Sequence, residues 1–208
     1  MSTFAVANLP NVAMLSTALK TLESDVGPGS FAILKMDKGG YWVFGADQTE
    51  VTADSTWAVN PFSFVHGFIA WGEREVLAEK LVPVTQPLPD LEPAPANCKK
   101  GWEKQLGFAL RCVSGKDKGL EARYTTTSQG GLRAVAALGA RITNQVDADQ
   151  TKPVPVVVLK KAFYNHKSYG KIFTPEFDVV DWISMEGAAG ETDSEDKPAQ
   201  PTRRRRSA

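Results

Sequence analysis

The sequence is short of the residues from which most catalytic sites are built. Its 208 residues include 2 histidines and 2 cysteines. Neither His66 nor His166 sits in a GxSxG, HExxH, Walker A or Rossmann glycine pattern, so the common enzyme classes lose ground. Cys98 and Cys112 are too few for a disulfide framework or a four-ligand zinc site and read as two reduced thiols. No run of 18 uncharged apolar residues occurs, and the opening MSTFAVANLPNVAML lacks both the basic region and the continuous apolar core of an export signal. The expectation is a soluble, cytoplasmic chain with no membrane span, no metal and no cofactor. Glycine (17) and proline (13) are too sparse for a collagen-like or wholly disordered chain.

The chain also lacks an excess of either charge, but the zero net charge is an average of unlike parts. From Met1 to Asn97 there are 5 Lys/Arg against 11 Asp/Glu, a net of −6. From Cys98 to Glu186 there are 14 against 9, a net of +5, and the remainder is near neutral. A basic C-terminal half is compatible with a polyanionic partner, because the local field follows the distribution of charge and not its sum.

Residues 1–186 read as one folded α+β domain, mostly antiparallel β. Val12, Leu15, Leu19 and Leu22 recur at helical spacing, predicting an N-terminal helix over Asn11 to Asp25 that Gly27-Pro28-Gly29 stops. Strand character follows in Phe31 to Met36, Tyr41 to Ala46, Ser63 to Trp71 and Glu75 to Pro83. Asp37-Lys38-Gly39-Gly40 supplies a hairpin turn between the first two, and Phe62, Phe64, Phe68 and Trp71 suggest a strand buried on both sides or a bulge near Gly67. Prolines 83, 87, 89, 93 and 95 make residues 83–97 a connector, since proline fixes φ and offers no amide donor. Trp102 to Val113 and Leu120 to Thr127 form a second expected hairpin. Ser128 then caps a long helix, roughly Gly130 to Asp149, with Leu132, Val135, Ala136, Gly139, Ile142 and Val146 on one stripe. Val156 to Lys161 and Tyr169 to Ile183 are the last strands, with Pro175 breaking the second or marking a sheet edge. Residues 187–208 hold no aliphatic side chain larger than alanine and are expected to be a disordered tail, acidic at Glu191 to Asp196 and basic at Arg203 to Arg206. The order of elements suits an OB-like small barrel with one long helix between strands.

The most suggestive chemistry lies in KKAFYNHKSYGKIF, where Lys160, Lys161, Lys167 and Lys171 interleave with Phe163, Tyr164, His166, Tyr169 and Phe173. Single-strand binders need cations to follow phosphates and flat faces on which bases stack. A second basic and aromatic group comprises Lys99, Lys100, Trp102, Lys104, Arg111, Arg123 and Tyr124. The two would form one groove if they shared a concave face. Period-2 strands also produce such alternation with the aromatics in a core. Trp42, Trp57, Trp71 and Trp182 read as core or interface residues. Glu176, Asp178 and Asp181 form a weak candidate metal site for a nuclease, weak because simple alternation turns Asp181 away from the other two.

Residues 164–175 and Phe177 to Trp182, with Tyr41-Trp42-Val43-Phe44-Gly45, look like segments of uncharacterised proteins of tailed bacteriophages, over most of Phe31 to Met185. Some of those are similar to the single-stranded DNA-binding proteins of phage replication and recombination. The resemblance implies a non-enzymatic protein that coats single-stranded DNA without sequence preference; the tail is a candidate site for recruiting replication or recombination proteins, and a homodimer is the default expectation because symmetric homo-oligomers are common. The chain departs from bacterial single-strand binding proteins in ending on Arg203 to Ala208 and not on an acidic, phenylalanine-ended tail. The alternative expectation is a phage structural or interaction protein that does not bind nucleic acid.

Overall fold

A curled half-barrel of antiparallel strands is what the alternating apolar residues build. The computed structural model describes residues 31–189, so the expected N-terminal helix and most of the expected tail lie outside the described residues. The strands are β1 (Ala32–Met36), β2 (Trp42–Phe44), β3 (Thr49–Glu50), β4 (Thr56–Val59), β5 (Val65–Trp71), β6 (Val76–Pro83), β7 (Trp102–Cys112), β8 (Glu121–Thr126), β9 (Val154–His166) and β10 (Gly170–Ile183). The helices are α1 (Gln129–Ala148) and the short α2 (Met185–Ala189). No helix among the described residues is long and apolar enough to cross a membrane.

The strand order is β10-β9-β4-β7-β8-β1-β2-β3, with β5 and then β6 joined to the first half of β7. Strand β7 runs through the centre, because its 11 residues are long enough to pair with β4 at one end and β5 at the other while β8 lines its far side. Every pairing is antiparallel except β1 with β8, where Ala32, Ile33 and Leu34 lie beside Ala122, Arg123 and Tyr124.

Period-2 alternation sends one set of side chains to the concave face. Leu34, Trp42, Trp57, Val59, Phe108, Leu110, Ala122, Tyr124, Val157 and Phe177 are buried there in one cluster. Its centre is aromatic: Phe177 meets Phe108 and Tyr124 edge-on at 5.1 and 5.3 Å, and Trp42 lies 5.6 Å from Phe177. Edge-to-face rings at such distances stabilise by roughly 0.5–1.5 kcal/mol beyond area burial. Helix α1 adds Val135, Leu138 and Ile142 to the same cluster and packs against β10 and β7. Ser128 caps it, its hydroxyl accepting from the Gly131 amide at 3.1 Å. The buried stripe runs through Gly131, Val135, Leu138 and Ile142, so Ala136 of the expected stripe is exposed and Leu138 takes the inward position.

The Asp37 to Gly40 turn forms as the sequence predicts. The Gly40 amide donates to the Asp37 carbonyl at 3.1 Å, and Gly40 has φ 78°, which a side chain rarely adopts. Of the two expectations for this stretch, a strand buried on both sides or a bulge near Gly67, the bulge lies elsewhere, between Ala70 and Trp71, where β6 carries one extra residue. Gly67 answers a different need: a Cβ there would sit 1.8 Å from the Lys80 carbonyl oxygen of β6. Of the four tryptophans read as core or interface, Trp42 and Trp57 are buried, whereas Trp71 is 39% exposed. The proline-rich connector is strapped to the body by the Trp102 indole, which donates to the Glu92 carbonyl at 2.9 Å, and by Lys80, which pairs with Glu92 at 3.1 Å.

Candidate nucleic-acid interface

Strands β9 and β10 are longer than the sheet that receives them. Thr56, Trp57 and Ala58 of β4 pair with Val158, Val157 and Val156, and beyond Val158 strand β9 pairs only with β10. Residues 159–166 and their partners in β10 therefore form a two-stranded arm, about 26 Å long at ~3.3 Å per residue. Pro175 does not break β10. It pairs with Lys161 on the outermost strand of the sheet order, where a missing amide hydrogen is tolerated.

Alternation divides the arm between two faces. The concave face, continuous with Leu159 and Phe177, carries Lys161, Phe163 and Asn165 from β9 and Lys171, Phe173 and Pro175 from β10. Here cations and rings interdigitate. The Lys161 ammonium lies 4.4 Å from the Tyr41 ring centroid and 5.2 Å from that of Phe173. The Lys171 ammonium lies 3.9 Å from Phe163 and 4.9 Å from Phe173. The result is a ladder, Tyr41, Lys161, Phe173, Lys171, Phe163, whose outer rings Tyr41 and Phe163 are 49% and 59% exposed. Each contact is within the range in which a ring quadrupole attracts a cation.

The ladder is anchored at its inner end. The indole of Trp42 donates to the Lys160 carbonyl at 2.9 Å, so the curl of the sheet brings β2 against β9. Gly40 is pressed onto Phe173, where a Cβ would lie 2.6 Å from the ring. A groove of about 710 Å³ runs between the β1–β2 turn, the β8–α1 junction and the arm, lined among others by Lys35, Lys38, Thr127, Ser128, Lys171 and Phe173.

The opposite face of the arm holds Lys160, Tyr164 and His166. Lys160 is not free for a phosphate, since it donates to Asp178 at 2.6 Å. That hydrogen bond and the attached charge hold the Asp178 carboxyl below its ordinary range and push the Lys160 ammonium up. Tyr164 is exposed there, while His166 and Tyr169 stack on each other at the tip with centroids 4.8 Å apart. Lys167 is exposed in the turn between the strands.

Of the second predicted group, Tyr124 alone is on the concave face and among the residues that line the groove. Tyr124 is 3% exposed and enclosed by Trp42, Phe108 and Phe177, so it has no ring face to offer a base; this corrects the sequence-based expectation. Burial pushes its phenol up to about 12, against a smaller opposing effect of the Thr126 hydrogen bond. Its neighbour at position i−2 in the apolar alternation is Ala122, a pattern that marks it as core. Trp102 is committed to the connector, Lys100 pairs with Glu103 at 3.8 Å, and Lys99 reaches the Glu73 carbonyl at 3.5 Å. Lys104 is exposed on β7. Arg111 and Arg123 share the convex face, where Arg111 lies beside Glu121 in the β7–β8 register. None of these six lines the groove. The expected single groove formed by both groups is thus replaced by one formed by the arm, the β1–β2 turn and the α1 N-terminus. Tyr41, Lys35 and Lys38 were not singled out by sequence, although the aromatic residue after the Gly39-Gly40 turn was a usable signal.

The three carboxylates of the nuclease alternative do fall on one side. A bulge at Val180 sets Asp181 opposite Val156, the same parity as Asp178 opposite Val158, which reverses the alternation expected from sequence. Among the described residues, however, no group of three or more His, Cys, Asp or Glu is placed to hold a metal ion. Cys112 is buried with its thiol pushed up by desolvation, and its Sγ is 3.0 Å from the Ser114 carbonyl oxygen.

Comparison of the chain with protein-family models, with curated proteins and with solved structures gives no match.

Proposed function

We propose that the protein binds single-stranded DNA without sequence preference, as a non-enzymatic component of phage-type replication or recombination. The observation that carries this reading is the ladder of Lys161 and Lys171 between Tyr41, Phe173 and Phe163 on the concave face of the arm. Exposed rings give every base a stacking surface, and the ammonium groups beside them stay within reach of the phosphates between bases. Base stacking contributes about 1–3 kcal/mol per ring and tolerates any sequence. We read the curled sheet, with α1 between β8 and β9, as an OB-like barrel, and take the cytoplasm as its setting and a homodimer as its default state.

The test is fluorescence-anisotropy titration of labelled oligo-dT, matched duplex and single-stranded RNA at two salt concentrations. Phe163→Ala is expected to weaken oligo-dT binding by about 5- to 150-fold, the equivalent of one stacked base. Wild-type affinity is expected to fall steeply with salt. Absence of binding at low salt, or an unchanged affinity in Phe163→Ala, sinks the reading.

A second reading, a structural or interaction protein, is favoured by exposed apolar residues at the other end of the chain's β-ribbon and in its connector. Trp71 and Val76 are cross-strand partners 39% and 46% exposed, and Leu88 and Leu91 are 44% and 43% exposed. Under that reading Trp71→Ala alters assembly while the arm substitutions leave it unchanged.

A further inference from the structure

The groove beside the arm has a lining that base stacking alone does not employ. Lys35 and Lys38 come from β1 and its turn, Lys171 from β10, and hydroxyls of Thr125, Thr127 and Ser128 from the β8–α1 junction. Against three ammonium groups stands one carboxylate, Asp37, which is already engaged in accepting the Tyr41 amide at 2.8 Å. Among the described residues none of the three lysines forms an ion pair. Phe173 closes the same groove and is also the central ring of the ladder, so the cavity and the stacking surface are one continuous path. Ammonium and hydroxyl donors lining one groove of about 710 Å³ suit an oxyanion with several acceptor oxygens, while its apolar residues suit the sugars between phosphates.

From this we infer that the groove is a phosphodiester-binding subsite, which holds the sugar–phosphate backbone through Lys35 and Lys38 independently of the bases, and feeds the strand onto the ladder through Lys171. The inference rests on the single-strand reading above but assigns a separate role to a separate surface. Each lysine that neutralises a phosphate of a single strand contributes about 0.7 to the slope of log affinity against log salt.

The experiment uses the full chain and two labelled probes of equal length, oligo-dT and an abasic phosphodiester oligomer. The double variant Lys35→Gln/Lys38→Gln is expected to lower the salt slope by about 1.4 on both probes. Between 50 and 200 mM salt that difference amounts to about sevenfold. Both side chains are exposed, so the variant is expected to retain the wild-type melting temperature, which is measured alongside. Phe163→Ala is expected to weaken oligo-dT and leave the abasic probe unaffected. Unchanged slopes in the double variant overturn the inference while oligo-dT binding through the rings stands. Equal affinity for the two probes with a harmless Phe163→Ala supports the groove and removes the ladder. Failure of the wild type to bind either probe removes both.

Discussion

Replacing Trp42 with phenylalanine isolates the contact that holds the curl of the sheet closed. The substitution keeps a ring among Tyr124 and Phe177, 5.5 and 5.6 Å away, but deletes the indole N–H that donates to the Lys160 carbonyl at 2.9 Å. A hydrogen bond of this kind contributes about 1 kcal/mol net, and more when the acceptor left behind finds no water. The smaller ring leaves a void of roughly 40 Å³, which at about 24 cal/mol per Å³ costs about 1 kcal/mol more if the neighbours do not relax. The expected loss is therefore about 2 kcal/mol. In urea, with a slope of about 2 kcal/mol/M for a domain of this size, the unfolding midpoint falls by about 1 M without a change of slope. Hydrogen exchange adds a local readout. Amides of Lys160 to Ala162 and of the Asp37 to Tyr41 turn are expected to lose protection more than those of β7, because the two segments lean on each other through this bond. A midpoint shift under about 0.3 M, or protection lost evenly over the sheet, would refute the idea that β2 and β9 are fastened at this point.

Two further outcomes follow from buried geometry. Gly67→Ala forces a Cβ to within 1.8 Å of the Lys80 carbonyl oxygen, so β5 and β6 must separate; thermal unfolding is expected at a temperature lower by well over 5 °C, and a neutral result would contradict the close approach. The Tyr124 phenol is pushed up to about 12 in the folded chain from 10.0. A raised folded value means that stability is fully present below pH 10 and declines as the pH rises toward 12, by at most about 3 kcal/mol. Urea titrations at pH 9 and pH 11 are expected to show that decline, with Tyr124→Phe flattening it.

Local chemistry made some of the fold readable in the sequence. The Ser128 cap, the Gly39-Gly40 turn and the strand-like runs around β5, β7 and β10 are encoded within a few residues, and the structure places them where the sequence suggests. Strands β3 and β4 were invisible because two and four residues carry no period, and they become strands only through neighbours distant in sequence. The same limit governed the site. Lys160 and Lys161 are adjacent in sequence, yet one is tied to Asp178 on the outer face and the other lies between rings on the inner face. Tyr124 and Tyr164 are alike by residue type and opposite in burial. Asp181 changed sides through one bulged residue, Val180, whose position no local pattern announces. What the sequence could show was that cations and aromatics were interleaved; which of them share a surface depended on register.

The lone parallel pairing among the described residues bears on how the chain is assembled in time. Ala32 to Leu34 lie beside Ala122 to Tyr124, 90 positions later, and the β1–β2–β3 wing reaches the rest of the sheet order through that ladder. A β1–β2 hairpin is local and closes within microseconds, but alone it is at best marginally stable in water. During synthesis at about 5–20 residues per second, the wing must wait several seconds for its docking strand to emerge, while β5, β6 and β7 become available earlier. Leu34 and Trp42, which end in the core, spend that interval uncovered. Bringing Tyr41 to Lys161 comes later still, because β9 follows β8 in the chain, and the ladder of cations and rings is completed only when the β1–β2 wing meets the last two strands.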